Sequence, residues 1–198
     1  MAKIQTLVIY IFAAICVTSC TAKKRNSQWD TAEINAAISK DSIYKELDKQ
    51  PELFSAGERQ DLLMKRTSDV AYFSGHKLNI QDDKYAKYNN CRAYFFHSDT
   101  LSINIGIGSG FVGRGFKISY KGKMFYTEPY FWTDAIDPGA VEPTYKIVYQ
   151  KLILDKANYS LGDSLYGHID FKSIEVDKGS DTIEHFGKGY FRTKVTNL

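Results

Sequence analysis

The chain has 198 residues, enough for one domain with its own core. An apolar share of 43% and a charged share of 25% exclude wholesale disorder, and a formal net charge of +3 is too small for a protein that works by neutralising nucleic-acid phosphates. With 14 Tyr and 12 Phe the aromatic fraction reaches 14%, and since these residues favour pleated, half-buried strands the composition leans toward β structure.

The first segment stands outside the fold. A single Lys occupies residues 1–6, and an uncharged apolar run follows over residues 7–17. A run of about eleven residues has signal-peptide length and falls short of the roughly twenty that a helix needs to cross a bilayer. Val17-Thr18-Ser19-Cys20 comes directly after it. Charge, apolar run and this tetrapeptide together resemble the signal peptide and lipobox of bacterial lipoproteins, with Val17 at the position where Leu is commonest. The resemblance covers only about the first twenty residues. It implies cleavage before Cys20, a diacylglyceryl group on the Cys20 thiol and acylation (palmitate or a similar chain) of the new amino terminus. It also implies a lipid-anchored protein of the bacterial cell envelope, at the outer membrane. Several acyl chains, at roughly 0.8 kcal/mol per buried methylene, anchor durably where one would be marginal. Residues 21–28 then read as a polar tether whose Lys23, Lys24 and Arg25 attract anionic headgroups.

Cysteine usage agrees with this. Cys16 leaves with the signal and Cys20 is modified, so the mature fold keeps only Cys91 and forms no internal disulfide. Cys91 opens a strand-like run and reads as a small core residue rather than a nucleophile.

Residues 27–73 read as helical. Asp30-Thr31-Ala32-Glu33 and Ser55-Ala56-Gly57-Glu58 have the form of capping boxes. Ile34, Ala37, Ile38, Ile43, Tyr44 and Leu47 recur at helical spacing until Pro51, and a second helix is expected over residues 56–73. A polar connector occupies residues 74–90.

From Arg92 the period changes to two. Strand-like runs flank His97-Ser98-Asp99, and Lys121-Gly122-Lys123 reads as a hairpin turn. Residues 134–143 form a loop around Asp137-Pro138-Gly139, and further strands flank the turns at residues 158–163 and 177–181. Strands at this spacing predict an antiparallel sandwich or barrel. Residues 152–173 resemble strand pairs in immunoglobulin-like sandwiches of bacterial surface proteins, with Tyr159, Gly162 and Asp163 in a Y-x-x-G-D turn. The Cys and Trp pair of such domains is absent, and the resemblance implies architecture alone. The expected organisation is α+β and mainly β. It comprises a signal peptide (1–19), a lipidated Cys with its tether (20–29), short N-terminal helices (30–75) and an antiparallel, β-sandwich-like domain (76–198).

Gly108-Ser109-Gly110-Phe111-Val112-Gly113 spells the G-x-G-x-x-G of dinucleotide-binding turns. That site needs a helix after the last glycine, so that the helix N-terminus meets the pyrophosphate. The residues after Gly113 alternate like a strand instead, and no G-K-[ST] follows. Residues 108–115 are therefore expected to form a turn or bulged junction between strands, with no nucleotide and no cofactor.

His168 and Asp170 share a strand face, and Glu184 beside His185 lies on a neighbouring strand. Metal spacing of the H-E-x-x-H or CxxC kind is missing, and Tyr166 and Lys172 mark that face as solvated. No metal ligand and no catalytic residue is assigned, and no G-x-S-x-G elbow occurs. In the run over residues 124–134, Tyr126, Glu128, Tyr130 and Trp132, with Phe131 and Asp134 beside them, read as a stacking platform for a sugar or peptide. An aromatic core ending at a loop is the reading that the pattern favours over a platform. Alternation groups Tyr126 with Glu128 apart from Phe125 and Thr127, which turns some rings to water.

The function expected from these features is a non-enzymatic, lipid-anchored binding or interaction module with an unknown protein or glycan partner. The alternatives are a structural or assembly component of an envelope complex, an inhibitor of the immunity type, and a hydrolase whose site carries no familiar motif.

Overall fold

A computed structural model of the protein describes residues 28–54, 65–76, 85–96, 99–135, 143–176 and 182–197. Two short strands, β1 (Asp30–Thr31) and β2 (Glu33–Ile34), precede a 3-10 turn (Ala36–Lys40) and one short helix, α1 (Ile43–Leu47). The strands that follow are β3 (Ala71–Gly75), β4 (Asn90–Phe96), β5 (Thr100–Gly108), β6 (Val112–Lys121) and β7 (Met124–Thr133). The last three, β8 (Thr144–Leu154), β9 (Ser164–Val176) and β10 (Thr182–Thr196), are the longest.

The protein is mainly β, as its composition implies. Its ladders run unbroken in the order β1-β7-β6-β5-β4-β10-β9-β8-β2, with β3 added beside β10. This is one mixed sheet, with parallel pairings at β10–β4 and β2–β8, where an antiparallel sandwich or barrel was expected. β10 makes it continuous because 15 residues serve two neighbours on one edge. Its first half pairs antiparallel with β3, Glu184 opposite Gly75, and its end pairs parallel with β4, Val195 opposite Ala93. Spacing along a sequence counts strands and turns but does not say which strand bonds to which.

Alternation sorts the two faces. On β9, Leu165, Gly167, Ile169, Phe171 and Ser173 are buried, while Tyr166, His168, Asp170 and Lys172 lie on the other side. Each strand from β3 to β10 sends inward apolar residues into one cluster, among them Tyr72, Cys91, Ile105, Phe116, Phe125, Leu152, Phe171 and Phe191. One sheet thus wraps around one core and brings its outer long strands, β7 and β8, alongside each other. No ladder joins these two. The segment from Asp30 to Ile34 spans the seam instead, with Asp30 opposite Phe125 on β7 and Glu33 opposite Ile153 on β8. Higher up, Gln150 on β8 accepts from the Thr127 N–H at 3.0 Å and donates to the Gln28 carbonyl at 2.7 Å. Pro129, which has no N–H to offer, lies further along the same β7 edge.

The helical expectation needs correction. Residues 30–34 are strand, so the box at Asp30 caps nothing; Asn35 is the cap, its side chain accepting from the Ala37 N–H at 3.0 Å. Two free sheet edges outbid the local helical signal by taking up the backbone of the strap. α1 then lays Tyr44 and Leu47 against the outside of the sheet, and the Tyr44 hydroxyl reaches the Gly167 and Phe191 carbonyls at 3.2 and 3.3 Å. The end of the second expected helix is strand β3. The box at Ser55, the loop centred on Pro138, the turn at 177–181, the signal and residues 20–27 of the tether lie outside the described residues, while Gln28 and Trp29 at the end of the tether are described.

Two of the expected turns form, while His97 and Ser98 of a third lie outside the described residues. Gly122 (φ 56°) and Lys123 (φ 69°) close the β6–β7 hairpin in the left-handed conformation that two-residue hairpins use. Tyr159, Gly162 and Asp163 shape the β8–β9 connection: Gly162 takes φ 85°, and the Asp163 carboxylate accepts from the Ser160 N–H at 2.9 Å.

Candidate functional site

The glycine-rich stretch and the aromatic run prove to be one feature. β5 ends at Gly108, Gly110 (φ 90°) turns the chain, and β6 starts at Val112, so a strand follows where a dinucleotide site needs a helix. Gly108 stands opposite Gly113, and Gly106 opposite Gly115, which leaves a smooth patch on the outer face of the β5–β6 pair. Trp132 pairs with Gly113, and its indole fills the space that side chains at 113 and 108 would need. The Tyr130 hydroxyl lies likewise over Gly106 and Gly115, where strand backbone also crowds in. Aromatic rings over strand glycines recover contact area that glycine alone cannot supply.

The strand period puts Tyr126, Glu128, Tyr130 and Trp132 on that same outer face, so the four candidate ligand residues do come together. Lys117 stands opposite Glu128 and pairs with it at 3.0 Å; both side chains are well exposed. Such a pair is worth roughly 0–1 kcal/mol, so a ligand hydroxyl or amide displaces it at little cost. Burial, and then the Glu128 charge, raises the Tyr126 pKa and keeps its hydroxyl a hydrogen-bond donor. Trp29, from the strap, stacks in a tilted arrangement on Tyr126 at 6.3 Å.

A cavity of about 410 Å³ continues this face across the seam, lined by Asn104, Lys117, Glu128, Tyr130 and Tyr145, with Pro129, Phe131 and Pro143 completing it. Tyr145 forms the far lip, and burial together with Glu175 and Glu128 pushes its pKa up to about 12. Its ring meets the His185 imidazole edge-on at 5.7 Å. Behind it runs a buried chain: Tyr72 hydroxyl to His185 Nδ1 at 2.9 Å, and His185 Nε2 to Glu175 Oε2 at 2.9 Å. Burial lowers the His185 pKa although Glu175 pulls the other way.

Sequence reasoning missed this chain. It placed Tyr72 in a helix and grouped His185 with His168 and Asp170. The signal was present in the register: counting back in twos from the apolar Phe191 turns His185 inward and Glu184 outward. The others lie on the opposite face, half-buried. Asp170 pairs with Lys188 at 2.9 Å and Glu184 with Lys172 at 2.7 Å, while His168 lies edge-on to Tyr190. Among the described residues no group of three or more His, Cys, Asp or Glu is placed to hold a metal ion.

Ser173 stands directly opposite His185, and its buried Oγ has no hydrogen-bond partner among the described residues. It is nevertheless not an activated nucleophile, because Tyr72 and Glu175 occupy both imidazole nitrogens. Cys91 is fully buried, and desolvation holds its thiol far above the usual range. A cavity of about 780 Å³ lies outside the sheet between α1 and strands β3 and β10, walled by Ile43, Leu47, Ala71, Phe73 and Phe186. Cys20 lies outside the described residues. No family model, no curated protein and no solved structure matches the chain.

Proposed function

We propose that the protein is a lipid-anchored component of the bacterial cell envelope, held at the outer membrane through Cys20. It works there as a non-enzymatic binding module for a glycan or peptide. The observation that carries this reading is the outer strip of Tyr126, Glu128, Tyr130 and Trp132 beside Lys117. Rings seated on glycine supply rigid contact area, and a weak ion pair supplies exchangeable polar partners. The lipobox supplies the address. Binding needs neither metal, nucleotide nor other cofactor.

Two experiments test the two halves. Replacing Cys20 with Ala should move the protein from the detergent-soluble membrane fraction to the aqueous one; unchanged partitioning contradicts the anchor. The acylated protein in detergent micelles should retain on an array of envelope glycans and peptides a ligand that Trp132→Ala and Glu128→Gln both release. A protein that captures no ligand but co-purifies with a stoichiometric protein partner is instead an assembly component or an inhibitor.

A further inference from the structure

We propose that the β5–β6 end of the sheet rests on the bilayer, with Phe111 and Phe131 in the boundary between headgroups and acyl chains. This rests on the anchoring reading above and adds a second, non-covalent contact to it. Phe111 rides the turn between β5 and β6 at 70% exposure, and Phe131, opposite Arg114 on the adjoining strand, is 69% exposed. Phe54, also 69% exposed, joins Phe131, Ile107 and Val112 around an apolar cavity of about 360 Å³ at the same end. The Asp134 N–H holds the Phe111 carbonyl at 3.0 Å, so the turn presents its ring from a fixed backbone. Concentrated exposure of large apolar rings on one tip marks an interaction surface.

The path of the chain points to a lipid surface as what meets that tip. β1 runs antiparallel to β7, so the direction back along the chain from Asp30 is the direction from Phe125 toward Thr133, and hence toward the tip. The chain enters at Gln28, level with Thr127 through the Gln150 bridge. From Thr127 to Thr133 the strand climbs about 20 Å. The eight peptide units from Cys20 to Gln28 reach at most about 28 Å. An acylated Cys20 and the Phe111 tip therefore fit one bilayer. Trp132, 44% exposed beside the tip, falls at the level where indoles favour the membrane interface. Tyr126 and Glu128 stand about 13–20 Å further back along the strand, clear of the headgroups, so a ligand lies along the strip with its outer end on them and its near end against the Trp132 ring at headgroup level.

The test uses the sequence's two tryptophans. Trp29→Phe leaves Trp132 as sole reporter in the mature acylated protein, which is reconstituted into phosphatidylcholine vesicles with or without brominated acyl chains. Trp132 emission should shift to the blue and be quenched by the bromines, and Phe111→Ser with Phe131→Ser should abolish both effects while the protein stays bound. Anchored protein whose Trp132 escapes the bromines overturns the proposal, and so does a blue shift that appears without vesicles, the sign of a second copy or protein partner on the tip. If the acylated protein fails to bind at all, the anchoring reading falls. The tip is then judged by vesicle sedimentation of the Cys20→Ala protein: a roughly tenfold or greater loss of binding per ring removed supports it. Equal binding by the serine variants, or none, overturns it.

Discussion

The Trp132 indole occupies the volume that a side chain at Gly113 would need. Each of the nearest obstacles to a methyl group at position 113 belongs to that ring. Gly113→Ala should therefore destabilise the fold by about 1–3 kcal/mol by displacing the indole. Adding Trp132→Ala should recover most of the loss. Gly115 gives the control, because the Ile105 carbonyl and the Gly106 backbone also meet its methyl group. Gly115→Ala should stay destabilised when Tyr130 is truncated. Urea midpoints of the single and double variants read both cycles.

Gln150 ties β7, β8 and the strap together with one side chain. Gln150→Leu keeps the volume and leaves the buried Thr127 N–H without its acceptor, at a cost of about 1–3 kcal/mol. Amide hydrogen exchange should accelerate at Thr127 and along β1, while β9 and β10 stay protected.

His185 is neutral in the folded protein because burial holds its pKa below 6.5, against the pull of Glu175. The unfolded chain then binds the proton more readily, so stability from this group is complete above pH 6.5 and declines as pH falls below it toward the folded value. His168, facing Asp170, Lys188 and Tyr190, is shifted in the same direction, also by burial, and adds to the slope. His185→Gln and His168→Gln should each remove part of the stability difference between pH 7.5 and pH 5. Equal slopes in both variants and the parent would contradict the assignment.

Cys91 is walled in at the base of β4 with a raised thiol pKa. In the mature chain it should ignore a thiol reagent at neutral pH until urea unfolds the protein, and then react fully. Cys91→Ser, which buries a hydroxyl in an apolar cluster, should lower stability by about 1–3 kcal/mol.

Strand content, the hairpin at Gly122, the turn at Gly162 and the strand after Gly113 were all legible, because each follows from local alternation or from a turn residue's backbone freedom. The shared face of Tyr126, Glu128, Tyr130 and Trp132 was legible for the same reason. Long-range pairing was hidden. Residues 30–34 carry a fair helical cap signal, and only the unpaired edges of β7 and β8, nearly a hundred residues or more away in sequence, make them strand. Tyr72 meets His185 across 113 positions, a contact that neither residue's neighbourhood announces. The glycines were legible as β glycines, but their purpose was not. That purpose depends on Trp132 lying opposite Gly113, a register that only the folded hairpin sets.

Amide and indole chemical shifts, followed while the acylated protein in micelles is titrated with the ligand that it retains on the array, test the binding reading most directly. Shifts should centre on the Trp132 indole N–H and on Tyr126, Glu128 and Tyr130, with Lys117 responding as its ion pair opens. Shifts centred on the cavity beside Ile43 and Phe186, or unchanged by Trp132→Ala, would contradict it.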